Sequence, residues 1–279
     1  MLDTVLRLTA IAVLLRPMGP WFVQPVLLAL GALALISRRW LRRSSLWAAV
    51  SIATAIRIAD DWPLADNHIY LLAYWCLALG LALSSANPAG TLSVSSRWLL
   101  GGAFAMAVLW KAALSPDYVD GRFFRVTLLT DERFADASLV FGGLSREQMI
   151  QNRAFLEPLP QGAELLKPPP FVEPPRLRAF AAAATWGGLV LEGLIALTCL
   201  VPVRGRLDVA RHGLLLAFCV TTYALAPVAG FGWLIATMGL AQCRPHQQSL
   251  HRAYLAVFIL ILLYSEVPWT GVLAEWAVR

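Results

Sequence analysis

Ionisable and amide side chains inside or beside apolar stretches are the residues of this sequence that could do chemistry. Lys111 lies within one apolar segment, and Asn67 and His68 open another. Burying a charge in an apolar medium is costly, so such residues are hypotheses for function by default. A desolvated lysine can serve as a base, and a histidine can relay a proton or orient a substrate. We therefore predict Lys111, His68 and Asn67 as catalytic residues.

Three further side chains are candidates for binding a substrate. Asp61 lies in the polar loop before the helix start, Tyr70 lies just inside that helix, and Glu192 lies near the middle of an apolar segment. If successive apolar segments cross a membrane in alternate directions, a polar cluster forms in its outer half. Its members are Asp60, Asp61, Asn67, His68 and Lys111.

The same residues have a structural interpretation, which the sequence leaves open. Lys111 can extend towards water and pair with Asp61 or Asp117, which would hold two helices together. Glu192 can pair with Arg57 or with a backbone group. Under this interpretation the charges stabilise the fold and carry no chemistry.

Composition predicts a lipid environment. Hydrophobic residues make up 58% of the 279 residues and charged residues 14%, with a mean hydropathy of +0.64. A soluble domain is about 25% charged because its surface faces water. The net charge of +6 comes mainly from arginines between apolar runs, a pattern typical of membrane topology. We expect the lipid bilayer as a partner and no nucleic acid.

Eight apolar segments could form membrane-spanning helices, each of which needs about 20 residues. They cover residues 3–16, 21–37, 45–59, 68–84, 97–114, 180–202, 212–241 and 253–268. The predicted fold class is all-α, a polytopic transmembrane bundle of about seven or eight helices, seven if residues 3–16 lie at the interface. The segment 212–241 is too long for one straight span, so we expect a kink near Pro227.

Arginines in short loops indicate which side faces the cytoplasm. Loops 38–44 and 203–211 carry four and three arginines, and loop 60–67 carries none. With eight helices, both termini are cytoplasmic and loops 60–67 and 242–252 are outside. The predicted location is a bacterial inner (plasma) membrane.

Residues 115–178 interrupt the apolar pattern. The stretch is polar, and its part 157–175 is rich in proline, which favours an extended, polyproline-like backbone. We predict that it lies outside the membrane and caps the bundle, and a flexible linker is the alternative. The chain 1–279 is then a single integral membrane domain with one extramembrane insertion.

Disulfide, metal and nucleotide sites are not indicated. Cys76, Cys199, Cys219 and Cys243 form no CxxC, and we interpret them as small core residues. The spacing C-x2-H-x4-H from Cys243 to His251 lacks a fourth ligand, so no metal site is predicted. Motifs for phosphate binding, dinucleotide binding and serine hydrolysis are missing from the sequence.

Two motifs resemble a known family. Residues 66–71 (DNHIYL) open a helix after an acidic, tryptophan-containing loop, and residues 110–121 (WKAALSPDYVDG) close another. Together they resemble the membrane core of the vitamin K-dependent gamma-carboxylase-like family, also called the HTTM (horizontally transferred transmembrane) domain. That family shows an Asn-His-x-Tyr-Leu helix start and a lysine-containing helix end that runs into Asp-Trp-Val-Glu-Gly. The resemblance covers residues 3–268, and Asn67 and His68 match it directly.

The resemblance implies a membrane enzyme that uses reduced vitamin K, oxygen and carbon dioxide, with a lysine as the base. The family lysines would fall at Ala112 and Ala113 rather than at Lys111. A family histidine expected near Thr221 is absent, and these 279 residues lack the large lumenal domain of the carboxylase. We therefore expect no protein carboxylation. The cofactor stays unknown, and a quinone-like lipid is one ligand that the resemblance allows.

Three functions remain open from the sequence. The first is a membrane redox or transfer enzyme that acts on a quinone-like or other lipidic substrate. The second is a non-catalytic membrane module that binds a lipid or a membrane protein partner. The third is a small-solute transporter, which an intramembrane Glu192 and an interrupted segment 212–241 permit.

Overall fold

The computed structural model describes residues 1–16, 19–63, 66–155, 161–162, 164, 167, 170–201, 205–225, 228, 230–266 and 276. Every regular element in these ranges is helical, which confirms the all-α fold class. A π-helical turn (Trp110–Leu114) continues α6, and a 3-10 turn (Glu132–Phe134) precedes α9. The α-helices are α1 (Leu2–Leu15), α2 (Gln24–Ile36), α3 (Arg38–Leu41), α4 (Ser44–Asp60), α5 (Asn67–Leu83), α6 (Pro88–Leu109), α7 (Pro116–Val119), α8 (Arg122–Thr130), α9 (Ala135–Val140), α10 (Arg146–Ala154), α11 (Pro175–Leu200), α12 (Arg206–Leu225), α13 (Phe231–Gln242) and α14 (Gln248–Glu266).

Two stretches of the described chain are helical, long and apolar enough to cross a membrane. They are Pro88–Leu114, which joins α6 to its π turn, and α11. Shorter apolar helices are Gln24–Ile36, Asn67–Leu83, Phe231–Gln242 and Gln248–Leu263. The predicted apolar segments are therefore helical, but most are shorter than a full span.

The segment predicted as one kinked helix, 212–241, is instead a helical hairpin. Asp208 at the start of α12 lies 3.4 Å from Arg244, which follows the end of α13. Tyr223 near the end of α12 accepts a hydrogen bond from the backbone N–H of Gly232 at the start of α13, at 2.5 Å. The two helices are therefore antiparallel.

Glycine at the turn makes this reversal possible. Gly230 has φ +93°, a conformation that is strained for residues with a side chain. Pro227, where the kink was predicted, lies outside the described residues. Instead of the predicted kink, the chain reverses its direction between α12 and α13, and Gly230 is the last residue before α13.

The core of the bundle is built around α13. Every residue from Gly232 to Gln242 is buried, so this helix has no outward face. It packs against α1, α6, α12 and α14. Close approach is possible because small residues face large ones, as where Gly239 lies against the ring of Tyr254.

Contacts at the helix termini define two ends of the bundle. At the end where α1 begins, here named the Met1 end, Asp3 binds Arg42 at 2.7 Å. At the opposite end, here named the His68 end, Arg57 and His68 line one cavity together with residues from the end of α1 and the start of α13.

Because of the hairpin, the loop after α13 lies at a different end of the bundle from the one predicted. The loop after α13 was expected to share an end with loop 60–67, but Arg244 in that loop binds Asp208 at the Met1 end. The loop lies at the other end because α13 crosses the bundle a second time, in the direction opposite to α12.

Helix α14 consequently runs from the Met1 end to the His68 end. Tyr254 near its beginning contacts His212 near the start of α12, and Phe258 one turn later packs on Trp233 near the start of α13. The described end of α14 is therefore opposite to Met1. Residues 267–275 and 277–279, which include the C-terminus, lie outside the described residues, so the prediction that both termini share one side stays a prediction.

Helices α6 and α11 keep large apolar side chains on outward faces. On α11, Trp186, Val190 and Leu197 are each more than half exposed, and they follow the spacing of one helix face. On α6, Val94 and Met106 are likewise more than half exposed.

The predicted insertion 115–178 is helical where the structure describes it. Helices α8 to α10 and the start of α11 form a second, small apolar core that includes Leu128, Met149 and Leu177. Asn152 donates a hydrogen bond to the Val172 carbonyl and accepts one from its N–H. These contacts favour a folded cap over the linker alternative, and most of the proline-rich part lies outside the described residues.

An ion pair holds this cap to the start of α11, and we expect the stability of the cap to depend on pH because of it. Arg125 binds Glu173 through two hydrogen bonds, at 2.5 and 2.7 Å, and Arg178 binds it at 3.0 Å. The hydrogen bond from Arg125 holds the pKa of Glu173 below its ordinary value of 4.5.

A carboxylate with a lowered folded-state pKa stabilises the fold above its unfolded pKa, and this contribution is lost as pH falls through the folded pKa. We expect hydrogen-exchange protection of residues 122–155, corrected for intrinsic rates, to decline as pH is lowered below about 4.5. Glu173→Gln should be less protected at neutral pH and should change less on acidification. Identical pH profiles for the two proteins would show that Glu173 is not the responsible group.

Candidate functional site

Lys111 and Glu192 form an ion pair between the π turn and α11. The Lys111 Nζ lies 2.5 Å from Glu192 Oε1, and the Glu192 side chain is 9% exposed. The other carboxylate oxygen, Oε2, is buried and has no hydrogen-bond partner among the described residues. A buried ion pair with one free acceptor can retain or exchange a proton, and it can also act as a fixed link between helices.

Tyr118 completes this first site. Its ring centroid lies 5.1 Å from Lys111 Nζ, within the range of a cation–π contact. A Cβ on Gly188 would lie 3.3 Å from the Tyr118 hydroxyl, so the glycine lets α7 approach α11. Burial and the nearby Glu192 carboxylate raise the pKa of Tyr118 above its ordinary value, which keeps its hydroxyl a hydrogen-bond donor.

The backbone around Lys111 departs from regular α geometry. Residues Trp110–Leu114 form a π-helical turn, a feature often found at functional sites. Such a turn changes the direction of the side chains it carries relative to an α-helix. The shifted position of Lys111 relative to the HTTM motif therefore does not by itself decide which way the lysine faces.

A second site lies at the His68 end, where five helices meet. Its cavity is lined on its polar side by Arg16, Arg57, Thr54 and His68. The remaining lining is apolar, with side chains from α1, α2, α5 and α13. About 30 Å³ of the cavity is wide enough for the centre of a water molecule, which corresponds to space for one or two waters.

His68 carries a buried, unpartnered nitrogen in this cavity. Its Nε2 is buried and makes no hydrogen bond to any described residue. The nearest carboxylate oxygen, on Asp66, is 4.0 Å away, beyond hydrogen-bond range. Arg57 is occupied by Asp61 at 2.6 Å, which leaves His68 and Arg16 as the groups of the lining that a polar atom in the cavity could bind.

The structure thus divides the predicted polar cluster between two sites. Lys111 is not among the residues that line the His68 cavity, and it pairs with Glu192. The predicted alternatives, Lys111 with Asp61 or Asp117 and Glu192 with Arg57, are wrong because Asp61 binds Arg57, and Asp117 binds Arg122.

The remaining predicted residues lie near the His68 cavity but do not line it. Asn67 is exposed at the start of α5, and Tyr70 is half-buried one turn later. Asp60 is exposed at the end of α4. These residues are close in sequence to His68. Of the three predicted catalytic residues, Lys111, His68 and Asn67, His68 is the one that lines the cavity.

Sequence reasoning did not include Tyr118, Arg16 or Thr54. Tyr118 lies within the motif WKAALSPDYVDG, whose match to the HTTM pattern could have indicated it. Arg16 and Thr54 carry no sequence signal, because their role depends on how α1 and α4 are rotated in the bundle.

Compared with protein-family models, curated proteins and solved structures, the chain shows no match. The resemblance to the HTTM family accordingly stays a prediction carried by the two motifs.

Proposed function

We propose that this chain is a polytopic integral membrane protein whose helices traverse the bilayer between the Met1 end and the His68 end. The supporting observation is the apolar outward face of α6 and α11. Soluble monomers rarely expose long contiguous apolar surface, because water disfavours it. Short α13 fits the proposal as well, since a fully buried helix needs no contact with lipid.

Arginine placement supports a cytoplasmic Met1 end. Loop 38–44 lies there, and the hairpin brings Arg244 and the start of α12 to the same end. At the other end, Arg16 and Arg57 face the cavity. Positively charged short loops favour the cytoplasm, so the cap formed by α7–α10 lies outside and α14 ends outside.

Within this membrane protein, we infer that the His68 cavity binds the polar tip of a lipidic, quinone-like ligand. The single observation that carries this inference is the buried, unpartnered His68 Nε2 in a cavity with apolar walls. A carbonyl oxygen fits the space of one water and can accept a hydrogen bond from the imidazole or from Arg16. The ligand's tail would extend between the helices into lipid.

The resemblance to the HTTM family extends this proposal to a redox or transfer reaction on such a ligand, other than protein carboxylation. Lys111 and Glu192 would then act as a proton-holding pair rather than as a free base, because the ammonium is bound by a carboxylate.

A co-purification experiment tests the ligand proposal. We expect His68→Ala to reduce the amount of quinone-like lipid retained after detergent purification by about tenfold, since one hydrogen bond in a desolvated site is lost. Mass spectrometry of extracted lipids measures this amount. His246→Ala is the matched control, because that histidine is exposed at the Met1 end and far from the cavity. Equal retention by His68→Ala and the wild type would refute the proposal.

A non-catalytic membrane module is the second candidate function. The Lys111–Glu192 pair favours it, because a link of 2.5 Å between the π turn and α11 is what a structural clasp requires. The two candidate functions differ in the effect of a change at Lys111. In a non-catalytic module it lowers stability alone, and in an enzyme it also lowers the rate of the reaction on the ligand.

A further inference from the structure

A larger cavity lies at the Met1 end, on the opposite side of the bundle from His68. Its water-accessible volume is about 440 Å³. Its walls come from the starts of α1, α6 and α12 and from the end of α13 with the following loop. The proposed ligand site does not include any of its residues.

Three arginines face this cavity. They are Arg97, Arg211 and Arg244, and Asp208 is the one carboxylate in the described lining. Asp208 binds Arg211 at 2.5 Å and Arg244 at 3.4 Å. One carboxylate against three guanidinium groups leaves the cavity with an excess of positive charge.

Two of the guanidinium groups have unused donors. Arg211 is 4% exposed, and its Nε is buried without a hydrogen-bond partner in the described part of the chain. The Nε of Arg97 is buried and unpartnered in the same sense. Buried polar groups are normally satisfied. The lining also holds an unpartnered acceptor, Gln242 Oε1, so the excess of guanidinium groups is what indicates an anionic ligand.

Phosphate oxygens fit these donors best. Arginine is the side chain that recognises phosphate through several parallel hydrogen bonds, and basic pockets between helices on the cytoplasmic side bind anionic lipid headgroups. Ser93, which also lines the cavity, supplies a further donor.

An apolar path leads from this cavity along α6. Val94 lines the cavity and is 52% exposed. Trp98, Gly102 and Met106 continue the same face of the helix, and a Cβ on Gly102 would meet no other atom within 4 Å. A ligand with a phosphate in the cavity could therefore lay an acyl chain on this face.

We propose that the Met1-end cavity binds the phosphate of an anionic phospholipid. Arg97 and Arg211 donate to the phosphate oxygens, Arg244 closes the cavity from the loop side, and an acyl chain packs along Val94 and Trp98. This inference rests on the proposed membrane location of α6, and it assigns a second lipid site distinct from the His68 cavity.

Native mass spectrometry of the full chain in detergent tests the proposal. The probes are phosphatidylglycerol and zwitterionic phosphatidylcholine with identical acyl chains. We expect preferential binding of phosphatidylglycerol, weakened by about tenfold in Arg97→Gln, Arg244→Gln, because the charge-assisted contact of Arg97 and the positive charge of Arg244 are removed. Arg211 is left intact because its buried pair with Asp208 supports the fold.

The matched control is Arg39→Gln, Arg43→Gln, which removes two arginines at the Met1 end outside the cavity. This control should bind phosphatidylglycerol as the wild type does. Equal weakening in both double variants, or equal affinity for the two lipids, would overturn the proposal. Complete displacement of phosphatidylglycerol by excess inorganic phosphate would overturn the lipid assignment and leave a free-phosphate site.

Failure of the membrane proposal is recognised separately. A protein that stays in the soluble fraction after cell lysis overturns the membrane location and the lipid assignment together. Membrane retention combined with unchanged lipid binding by Arg97→Gln, Arg244→Gln overturns this inference alone.

Discussion

Replacing Lys111 with methionine is expected to lower the free energy of unfolding by about 2–4 kcal/mol, because the buried carboxylate of Glu192 loses its counter-charge. The carboxylate is 9% exposed and its second oxygen already lacks a partner, so it has little access to water. Tryptophan fluorescence during thermal unfolding in detergent measures the loss.

A double substitution distinguishes the charge effect from lost packing. Lys111→Met combined with Glu192→Leu should cost less than Lys111→Met alone, because the unpaired charge is then absent. Arg122→Met is the matched control, since Arg122 and Asp117 form an exposed pair whose loss should change stability far less than the loss of the buried pair. If Lys111→Met leaves stability unchanged, the pair is not a structural clasp.

Placing arginine on the outward face of α11 is expected to prevent stable membrane assembly. Val190 is 59% exposed near the middle of this helix. Arginine at the centre of a membrane helix costs about 2.5–3.5 kcal/mol on insertion scales. At an exposed position in water, the same change would alter stability by less than about 0.5 kcal/mol. The amount of Val190→Arg protein recovered in the membrane fraction, relative to the wild type, measures the effect.

The control for this substitution lies in the extramembrane cap. Ile150 in α10 is 67% exposed, slightly more than Val190. Ile150→Arg should leave the membrane-fraction yield unchanged, because the proposed surroundings of this residue are aqueous. If Val190→Arg is as well tolerated as Ile150→Arg, the outward face of α11 does not contact lipid.

Helices were the part of the fold that the sequence could predict. Each helix contains a run of apolar residues that is long enough to be recognised from hydropathy alone. Helix α11, for example, was predicted over 180–202 and is observed over Pro175–Leu200. The earlier start has a physical reason. Pro175 is favourable at the first helical position, and Leu177 extends the helix into the core of the cap.

The hairpin of α12 and α13 was not predictable from hydropathy. An apolar run of this length is equally consistent with one kinked helix and with two antiparallel helices. The decision depends on the positive φ at Gly230 and on contacts between distant residues, such as Asp208 with Arg244. Counting segments alone therefore assigned the loop after α13 to the wrong end.

The sequence was sufficient to predict which residues belong to the candidate sites, but not which of these residues contact one another. Lys111, His68 and Glu192 were identifiable because a polar group inside an apolar run is costly. Which of them meet depends on the rotation of each helix about its axis, and the π turn alters that rotation at Lys111. The sequence consequently suggested one cluster where the structure has two sites.

Accessibility of single introduced cysteines is the most direct test of the proposed membrane topology. The native cysteines are all buried, so their background reaction with a membrane-impermeant maleimide should be low. Arg39→Cys, His246→Cys and Glu147→Cys place thiols at exposed positions of the Met1 end, the loop after α13 and the cap. In intact cells, we expect Glu147→Cys to react, and Arg39→Cys and His246→Cys to react only after the membrane is permeabilised. Equal reaction of all three before permeabilisation, or reaction of His246→Cys together with Glu147→Cys, would contradict the proposed topology.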